Sequence, residues 1–374
     1  MRINTLIAHG VRNLEPVSLE PRERFNVFVG DNGQGKTNLL EAIYVVATLR
    51  SFRTSSLSDL VAFGREEAKL GARVVKDELT RLYEVDIAPG GRKIRVDGKP
   101  RRPAGYFGGF NVVVFTPEDL GLPRGSPGDR RKFLDRGVFN FDGAFLAVAS
   151  DYEKVLKSRN AILKQAGEGM PSGQVEDMLA VYDEQLARLA VQIIGARTRF
   201  LAALSPALFD TFAQITRTGL TAGARYASKL VDGAAGSPAG GISLSPEFVV
   251  ERLREGRAKD LATQSTQLGP HRDDVVLELE GREAGSFASQ GQLRAIMLAW
   301  KTAELKILGA AHGDPPVLLL DDVSSELDPS RNEFLFEHLA ALAGQCFITT
   351  TSGGHVLLAK NRADYRIQNG QILQ

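Results

Sequence analysis

The segment VFVGDNGQGKTNLLEAIY, Val27 to Tyr44, constrains the fold of this chain more than any other. An apolar run rich in valine and phenylalanine meets Gly30, and the pattern G-x-x-x-x-G-K-[ST] is then filled by Gly30, Gly35, Lys36 and Thr37. Behind it the chain turns apolar at helical spacing, which predicts a helix from about Lys36 to Ala47. Strand, glycine-rich loop and helix in that order make a phosphate grip. The backbone N–H groups of Gly30, Asp31, Asn32, Gly33, Gln34 and Gly35 point inward, and the positive end of the helix adds to them. Lys36 is expected to reach the β- and γ-phosphates and the Thr37 hydroxyl to ligate Mg²⁺. Kinases, GTPases, transporters and DNA motors all share this grip, so it names the ligand class before it names the machine.

A grip of this kind needs an acidic partner at the end of a nearby buried strand. VLLLDD, Val317 to Asp322, supplies one. Its aliphatic run predicts a buried strand, with Asp321 at the end facing the metal and Asp322 where a general base for an attacking water would stand. The bland alternative is a strand ended by a solvated acidic pair.

The charge balance, 46 Lys+Arg against 45 Asp+Glu, leaves a net charge of +1, so a nucleic-acid surface has to be a local patch. Cys346 is the single cysteine and lies in the apolar run CFITT, which excludes a disulfide framework and a cysteine-based zinc site and reads as a buried structural thiol. No apolar run approaches the roughly 18 residues of a membrane span. The chain is therefore expected to be soluble and cytoplasmic, with no membrane partner.

Along the chain, β-rich patterns surround the grip, and PGGR between TRLYEVDIA and KIRVDG is hairpin chemistry. From about Gly128 to Thr266 helical patterns dominate. Positions 179, 182, 186, 189, 193, 196, 200 and 203 hold Leu, Tyr, Leu, Leu, Ile, Ala, Phe and Ala, a packing seam at 3-4 spacing. A Gly/Ala/Ser/Pro-rich stretch, Val231 to Gly241, reads as a mobile loop. After Gln267 the α/β alternation returns: DDVVLELEG as a strand, Gln290 to Leu308 as a helix, VLLLDD as a strand, Ser330 to Ala343 as a helix and QCFITT as a strand. The expectation is an α/β head with mixed sheets, discontinuous over 1–127 and 267–374, into which a compact helical arm, 128–266, is inserted.

In FASQGQLRAIMLAW, Ser289 stands just before a strongly helical run, where its hydroxyl and the free N–H groups of the first turn make a second anion site. Such caps are common alone. Together with SSELD, Ser324 to Asp328, the set resembles the signature loop and D-loop of ABC-type ATPases, and the form Ser289, Gly291, Gln292 is similar to that of the chromosome-maintenance and recombination branch. Within that branch the chain resembles the RecF family of recombination mediator ATPases. The stretches that carry this are GDNGQGKTNLLEAI (30–43), PEDLGLPRGSPGDRRKFLD (117–135), LGPHRDD (268–274) and LLDDVSSELDPSRNEFL (319–335).

That resemblance implies an ATPase head in which the signature loop of one copy caps the γ-phosphate held by another, with Asp328 in the D-loop. ATP would then drive a homodimer. It implies binding to double-stranded DNA and to gapped or junction DNA, slow hydrolysis, and work with the mediators RecO and RecR at the nucleoid. A loading scaffold in which ATP binding alone matters is the rival, kept open by Asp322 where many relatives carry Glu. A transporter motor is a third reading, disfavoured by the recombination-type motifs. At the place of the usual switch histidine stand Thr350 and Thr351, with His355 nearby, and Glu118 or Asp119 is expected to replace the missing glutamine of a Q-loop.

The densest basic stretch, GRKIRVDGKPRRP, offers Arg92, Lys93, Arg95, Lys99, Arg101 and Arg102 for contacts to DNA phosphates, or else it is a solvated hairpin edge. Arg130 and Arg131 in RRKFLDR are further DNA candidates. No base-reading motif is evident, which favours recognition of backbone and shape.

Overall fold

The computed structural model describes residues 1–107, 110–231 and 244–373, so most of the stretch Val231 to Gly241 lies outside the described residues. The chain opens with β1 (Arg2–His9), β2 (Val17–Leu19), β3 (Phe25–Val29) and α1 (Lys36–Thr48), followed by β4 (Ala68–Lys76), β5 (Leu79–Ala88), β6 (Gly91–Val96), β7 (Lys99–Pro100), β8 (Val112–Phe115) and α2 (Pro117–Gly121). Next come α3 (Pro127–Phe141), α4 (Phe145–Gly167), α5 (Ser172–Thr216), β9 (Ala222–Ala227), α6 (Pro246–Glu255), α7 (Arg257–Thr263), β10 (Asp274–Leu279), β11 (Arg282–Glu283) and α8 (Ala284–Phe287). The last part runs α9 (Gln290–His312), β12 (Val317–Asp321), α10 (Pro329–Leu342), β13 (Cys346–Thr350), β14 (Arg362–Gln368) and β15 (Gln371–Leu373).

Two compact units result, Met1–Gly121 with the chain from Arg294 onward, and Leu122–Leu293. The borders expected at 127/128 and 266/267 both fall inside the second unit. The reason is β10: rather than joining the head, it ladders antiparallel with β9, so the inserted unit carries a three-stranded sheet, β11-β10-β9, beside its helices.

The first unit holds two six-stranded sheets, β2-β1-β4-β5-β6-β7 and β15-β14-β3-β13-β12-β8. In the second of these β14, β3, β13, β12 and β8 are parallel. FNVFV, VVVF, VLLLD and CFITT are near-continuous apolar runs because a parallel sheet is covered on both faces. The other sheet is antiparallel and alternates. Its hairpins turn at Asp77-Glu78 and Asp97-Gly98, where both residues have positive φ, and at Pro89-Gly90, as PGGR predicts. Between the sheets lies α1, buried from Leu39 to Thr48 on every side, which explains why LLEAIYVVAT is apolar all round rather than amphipathic. Cys346 is buried in β13, and burial pushes its thiol up to about 12.

Three helices start with the same local device. Ser126-Pro127, Ser245-Pro246 and Asp328-Pro329 each place an oxygen at the N-cap and a proline at the first helical position. The cap oxygens accept from Asp129 N at 3.2 Å, Phe248 N at 3.2 Å and Arg331 N at 3.1 Å.

In the second unit the seam predicted at 179–203 runs along the 45-residue α5, with Leu179, Leu186, Ile193, Ala196 and Phe200 buried. Charges are buried beside it. Arg159 of α4, fully enclosed, donates to Asp183 at 2.7 Å, to Asp260 at 2.7 Å and to the Thr266 hydroxyl at 2.7 Å, while Arg257 bridges Asp183 and Glu176. LGPHRDD forms a second polar hub. Neutral His271 accepts from Tyr152 OH at 2.7 Å and donates to Thr266 O at 3.0 Å, and burial holds its pKa down to about 4. Asp273, pushed up to about 6 by burial, accepts from Tyr226 OH at 2.8 Å, and Arg197 ties Tyr226 to Asp135 and Pro270 O.

Asp183→Ala takes one carboxylate from two buried guanidinium groups, leaving Asp260 and Thr266 to Arg159 and Glu176 to Arg257, so urea denaturation is expected to show the second unit destabilised by about 1–3 kcal/mol.

Candidate nucleotide site

Register brings the site together. In the parallel sheet Val29 pairs with Thr350 and Arg366, Asp321 with Thr349, and Leu320 with Phe115, so β3, β12, β13 and β8 end at one edge. Loops leaving the carboxyl ends of parallel strands form the usual ligand crevice. Here they enclose a cavity of about 340 Å³ lined by Asn32, Gly33, Gly35, Lys36, Thr37, Asn38, Phe52, Arg53, Pro117, Glu118, Asp321 and Asp322.

The loop glycines have identifiable duties. A Cβ at Gly30 would lie 2.3 Å from Ile367 O, and Gly35 is left-handed at φ 108°, the conformation that lets α1 begin at Lys36. The turn between β14 and β15 braces the loop from behind: Asn369 N donates to Gln34 Oε1 at 2.5 Å and Gly370 N to Gln34 O at 3.0 Å. Gln34 therefore spends its side-chain oxygen on the brace. Lys36 Nζ donates to Gly30 O at 2.6 Å and Asp31 O at 2.9 Å, an ammonium group held by its own loop at the cavity wall.

Asp321 lines the same cavity, and its Oδ1 accepts from Thr37 Oγ1 at 2.9 Å and from Thr349 Oγ1 at 2.6 Å. Burial raises the pKa of Asp321, the Thr349 and Thr37 hydroxyls pull it back, and the neighbouring Glu118 and Asp322 carboxylates raise it again. The Asp321 carboxylate and the Thr37 hydroxyl beside a phosphate grip are hard oxygen donors of the kind Mg²⁺ takes together with phosphate and water. Among the described residues no group of three or more His, Cys, Asp and Glu is placed to hold a metal ion. Asp322 adopts a left-handed conformation, φ 47°, fixed by its N–H donating to Thr349 O at 3.1 Å and Thr349 Oγ1 at 3.1 Å. Its Oδ1 is buried without a protein partner, an acceptor waiting for a water or a ligand proton.

Several expectations change. Thr350 bonds Ser352, Thr351 is exposed, and His355 is exposed in a short turn; the hydroxyl against the acidic pair is that of Thr349. Of the two Q-loop substitutes, Glu118 lines the cavity while Asp119 is buried and accepts from Thr116 N at 3.2 Å. Asp328 caps α10 and bonds Ser330 and Arg331. Among the DNA candidates, Arg95 bonds Asp86 at 2.7 Å and Glu84 at 3.3 Å across the ladder, Arg130 clasps Asp274 at both oxygens, and Arg131 donates to Asp273 O at 2.8 Å. These three arginines are used internally. Arg92, Lys93, Lys99, Arg101 and Arg102 are exposed, although Arg92 Nη1 donates to Leu49 O at 2.7 Å.

Sequence reasoning missed Phe52 and Arg53 in the cavity wall. Arg53 is held by Asn38 Oδ1 at 2.7 Å and Glu41 Oε2 at 3.4 Å, and Glu41, fully buried, also pairs with Arg12 at 2.6 Å. A lone acid inside NLLEAIYVV was the available signal, since a buried carboxylate needs cationic partners.

In the second unit Ser289 and Gln292 form a reciprocal capping box: Gln292 N donates to Ser289 Oγ at 3.2 Å and Ser289 N to Gln292 Oε1 at 2.8 Å. Ser289 is exposed and Gly291 half-exposed at the start of α9.

The sequence model of the RecF/RecN/SMC N terminal domain matches residues 2–372. A "DNA replication and repair protein RecF" of Myxococcus xanthus (strain DK1622) is 43% identical over 95% of this chain and 92% of its own length. The chain belongs to the RecF family. The RecF of Geobacter sp. (strain M21) is 41% identical with both chains covered at 100%. Among solved structures, the recombination mediator protein RecF-ATPrS in the RecFOR pathway superposes with a TM-score of 0.87 at 32% identity, covering 100% of this chain and 97% of that one. An Smc head bound to the C-winged helix domain of ScpA, at 15% identity and a TM-score of 0.54, covers 99% of this chain and 96% of its own and shares the fold alone. This RecF-family protein thus has an ABC-type ATPase head and stands among DNA replication and repair proteins.

Thr349 donates to Asp321 Oδ1 at 2.6 Å and is not part of the cavity lining itself. Thr349→Val is expected to weaken magnesium-dependent nucleotide binding about tenfold, as losing a hydrogen bond behind a metal ligand does, with the unfolding midpoint moved by only a few degrees; titrating Mg²⁺ against a fluorescent nucleotide, beside a melting curve, checks it.

Proposed function

We propose that this protein binds ATP with Mg²⁺ in the 340 Å³ cavity, that the bound nucleotide joins two copies head to head on DNA, and that slow hydrolysis releases them. The observation that carries the reading is two kinds of group lining one cavity: the Lys36 ammonium, and the Thr37–Asp321 pair with the unpartnered Asp322 oxygen. Lys36 exchanges the carbonyls of Gly30 and Asp31 for β- and γ-phosphate oxygens. Thr37 and Asp321 would hold the magnesium, which when bound would supply neutralisation of phosphate charge. Asp322 accepts the proton of the attacking water; one methylene shorter than glutamate, it holds that water less closely, which makes hydrolysis slow.

Ser289, Gly291 and Gln292 of one copy meet the γ-phosphate held by the other, so each nucleotide belongs to both. Support comes from the family: relatives of this chain are solved as RecF-ATP in the RecFOR pathway. By that likeness the partners are double-stranded DNA, gapped or junction DNA, and the mediators RecO and RecR, and the place of action is the cytoplasm, on the nucleoid. Lys93, Lys99, Arg101, Arg102 and the edge residue Arg92 supply backbone contacts that weaken with salt.

A second reading, a loading scaffold that needs ATP bound but not cleaved, is favoured by the short Asp322 side chain. Asp322→Asn separates the two. Under the ATPase reading turnover falls about a hundredfold or more, on the scale of losing a general base, while the ATP-induced dimer persists longer; an unchanged rate leaves the scaffold. Ser289→Arg should bind ATP as a monomer with ordinary affinity and fail to dimerise in light scattering. An intact ATP-dependent dimer would refute the capping of one copy by the other.

A further inference from the structure

The segment that carries Ser289 is held in part by its own backbone, Ala288 N donating to Ala284 O at 3.0 Å and Leu293 N to Ser289 O at 3.0 Å. α8, Ala284–Phe287, ends three residues before α9 begins, and the link Ala288-Ser289 is extended at Ala288, ψ 143°. Ala288 is buried and Ser289 exposed, so besides the capping box with Gln292 the position of the exposed hydroxyl depends on what fixes the residue before it. The carbonyl of Ala288 is taken by a side chain. Arg124, at the end of the short 3₁₀ turn Leu122–Arg124, donates through Nη2 to Ala288 O at 2.9 Å and through Nε to Gly285 O at 3.3 Å. A guanidinium presents two N–H groups in a rigid fork, and here the fork spans the carbonyls on either side of the bend leading to Ser289. The backbone behind it is equally close: a Cβ added at Gly285 would stand 2.2 Å from Pro123 O. From the other side Arg282 lies over the Phe287 ring at 4.5 Å.

We propose that Arg124 is a positioning residue for the signature loop: its two hydrogen bonds hold Ala288 so that Ser289 is presented in the geometry that caps a nucleotide bound by a second copy. The inference rests on the reading of Ser289 given above. Arg124 touches neither nucleotide nor metal in this account, and its effect passes through one carbonyl. Of the arginines in PRGSPGDRR, Arg130 and Arg131 bond the LGPHRDD hub, whereas Arg124 bonds the carbonyls before α9.

A double-mutant cycle on the full-length protein tests this, with dimerisation driven by a non-hydrolysable ATP analogue and read by sedimentation, and nucleotide affinity of the monomer and thermal midpoint read alongside. Ser289→Ala is expected to weaken the dimer, and Arg124→Ala to weaken it about tenfold, the scale of a lost charge-assisted hydrogen bond. Monomer affinity and midpoint should stay unchanged. The double variant should be no weaker than Ser289→Ala alone, because a residue that acts through Ser289 has nothing left to act on. An Arg124→Ala dimer of full strength beside a weakened Ser289→Ala dimer overturns the inference, as does a double variant whose two effects multiply. Ser289→Ala without effect overturns the capping reading itself, and the role of Arg124 with it. If Arg124→Ala lowers the midpoint, Gly285→Ala, which pushes the loop off Pro123, takes its place in the cycle under the same criteria.

Discussion

One carboxylate oxygen, Asp321 Oδ1, takes hydrogen bonds from Thr37 at the start of α1 and from Thr349 on β13. Three elements are thereby tied at a point, and the rest of the head is arranged so that they can meet there. The parallel register of β3, β13 and β12 aligns their ends, and the all-round apolar surface of α1 lets that helix lie between two sheets with its first turn facing the strand ends. Burial makes the same carboxylate costly to ionise, so a cation beside it relieves both its desolvation and its repulsion from Glu118 and Asp322. The geometry that organises the fold is also the geometry that demands a ligand.

Much of this was legible in the sequence where a local rule decided the outcome. The grip, the buried strand VLLLDD, the PGGR hairpin and the long seam of α5 rest on short-range periodicity and turn chemistry, and each is found where it was expected. β9 was missed because AGARYA is small and weakly β-forming; it is a strand only because VVLEL of β10 lies against it. Choosing Thr349 over Thr350 and Thr351 needs to know which of three consecutive threonines faces β12, and strand phase at an end is set by the neighbouring strand. The duties of Arg95, Arg130 and Arg131 were out of reach for the same reason: their acidic partners lie on other elements, and basic residues in sequence look alike until those partners are placed.

Both units enclose paired charges, Glu41 with Arg12 and Lys301 with Glu304 in the head, and Arg159 with Asp183 and Asp260 and Arg197 with Asp135 in the inserted unit. Buried pairs add little net stability over well-packed apolar residues, yet they penalise any arrangement that separates them.

The brace behind the phosphate loop carries a consequence for how the chain comes to be folded. Gln34 is held by Asn369, 335 positions later, and β3 is flanked on both sides by strands from the far end of the sequence. During synthesis the loop emerges early and waits, its strand unpaired, until nearly all the rest has been made. Contacts of such separation form late and slowly, so the grip is among the last parts of the molecule to become competent, and a chain cut short near its end would carry the whole motif without the means to hold its shape.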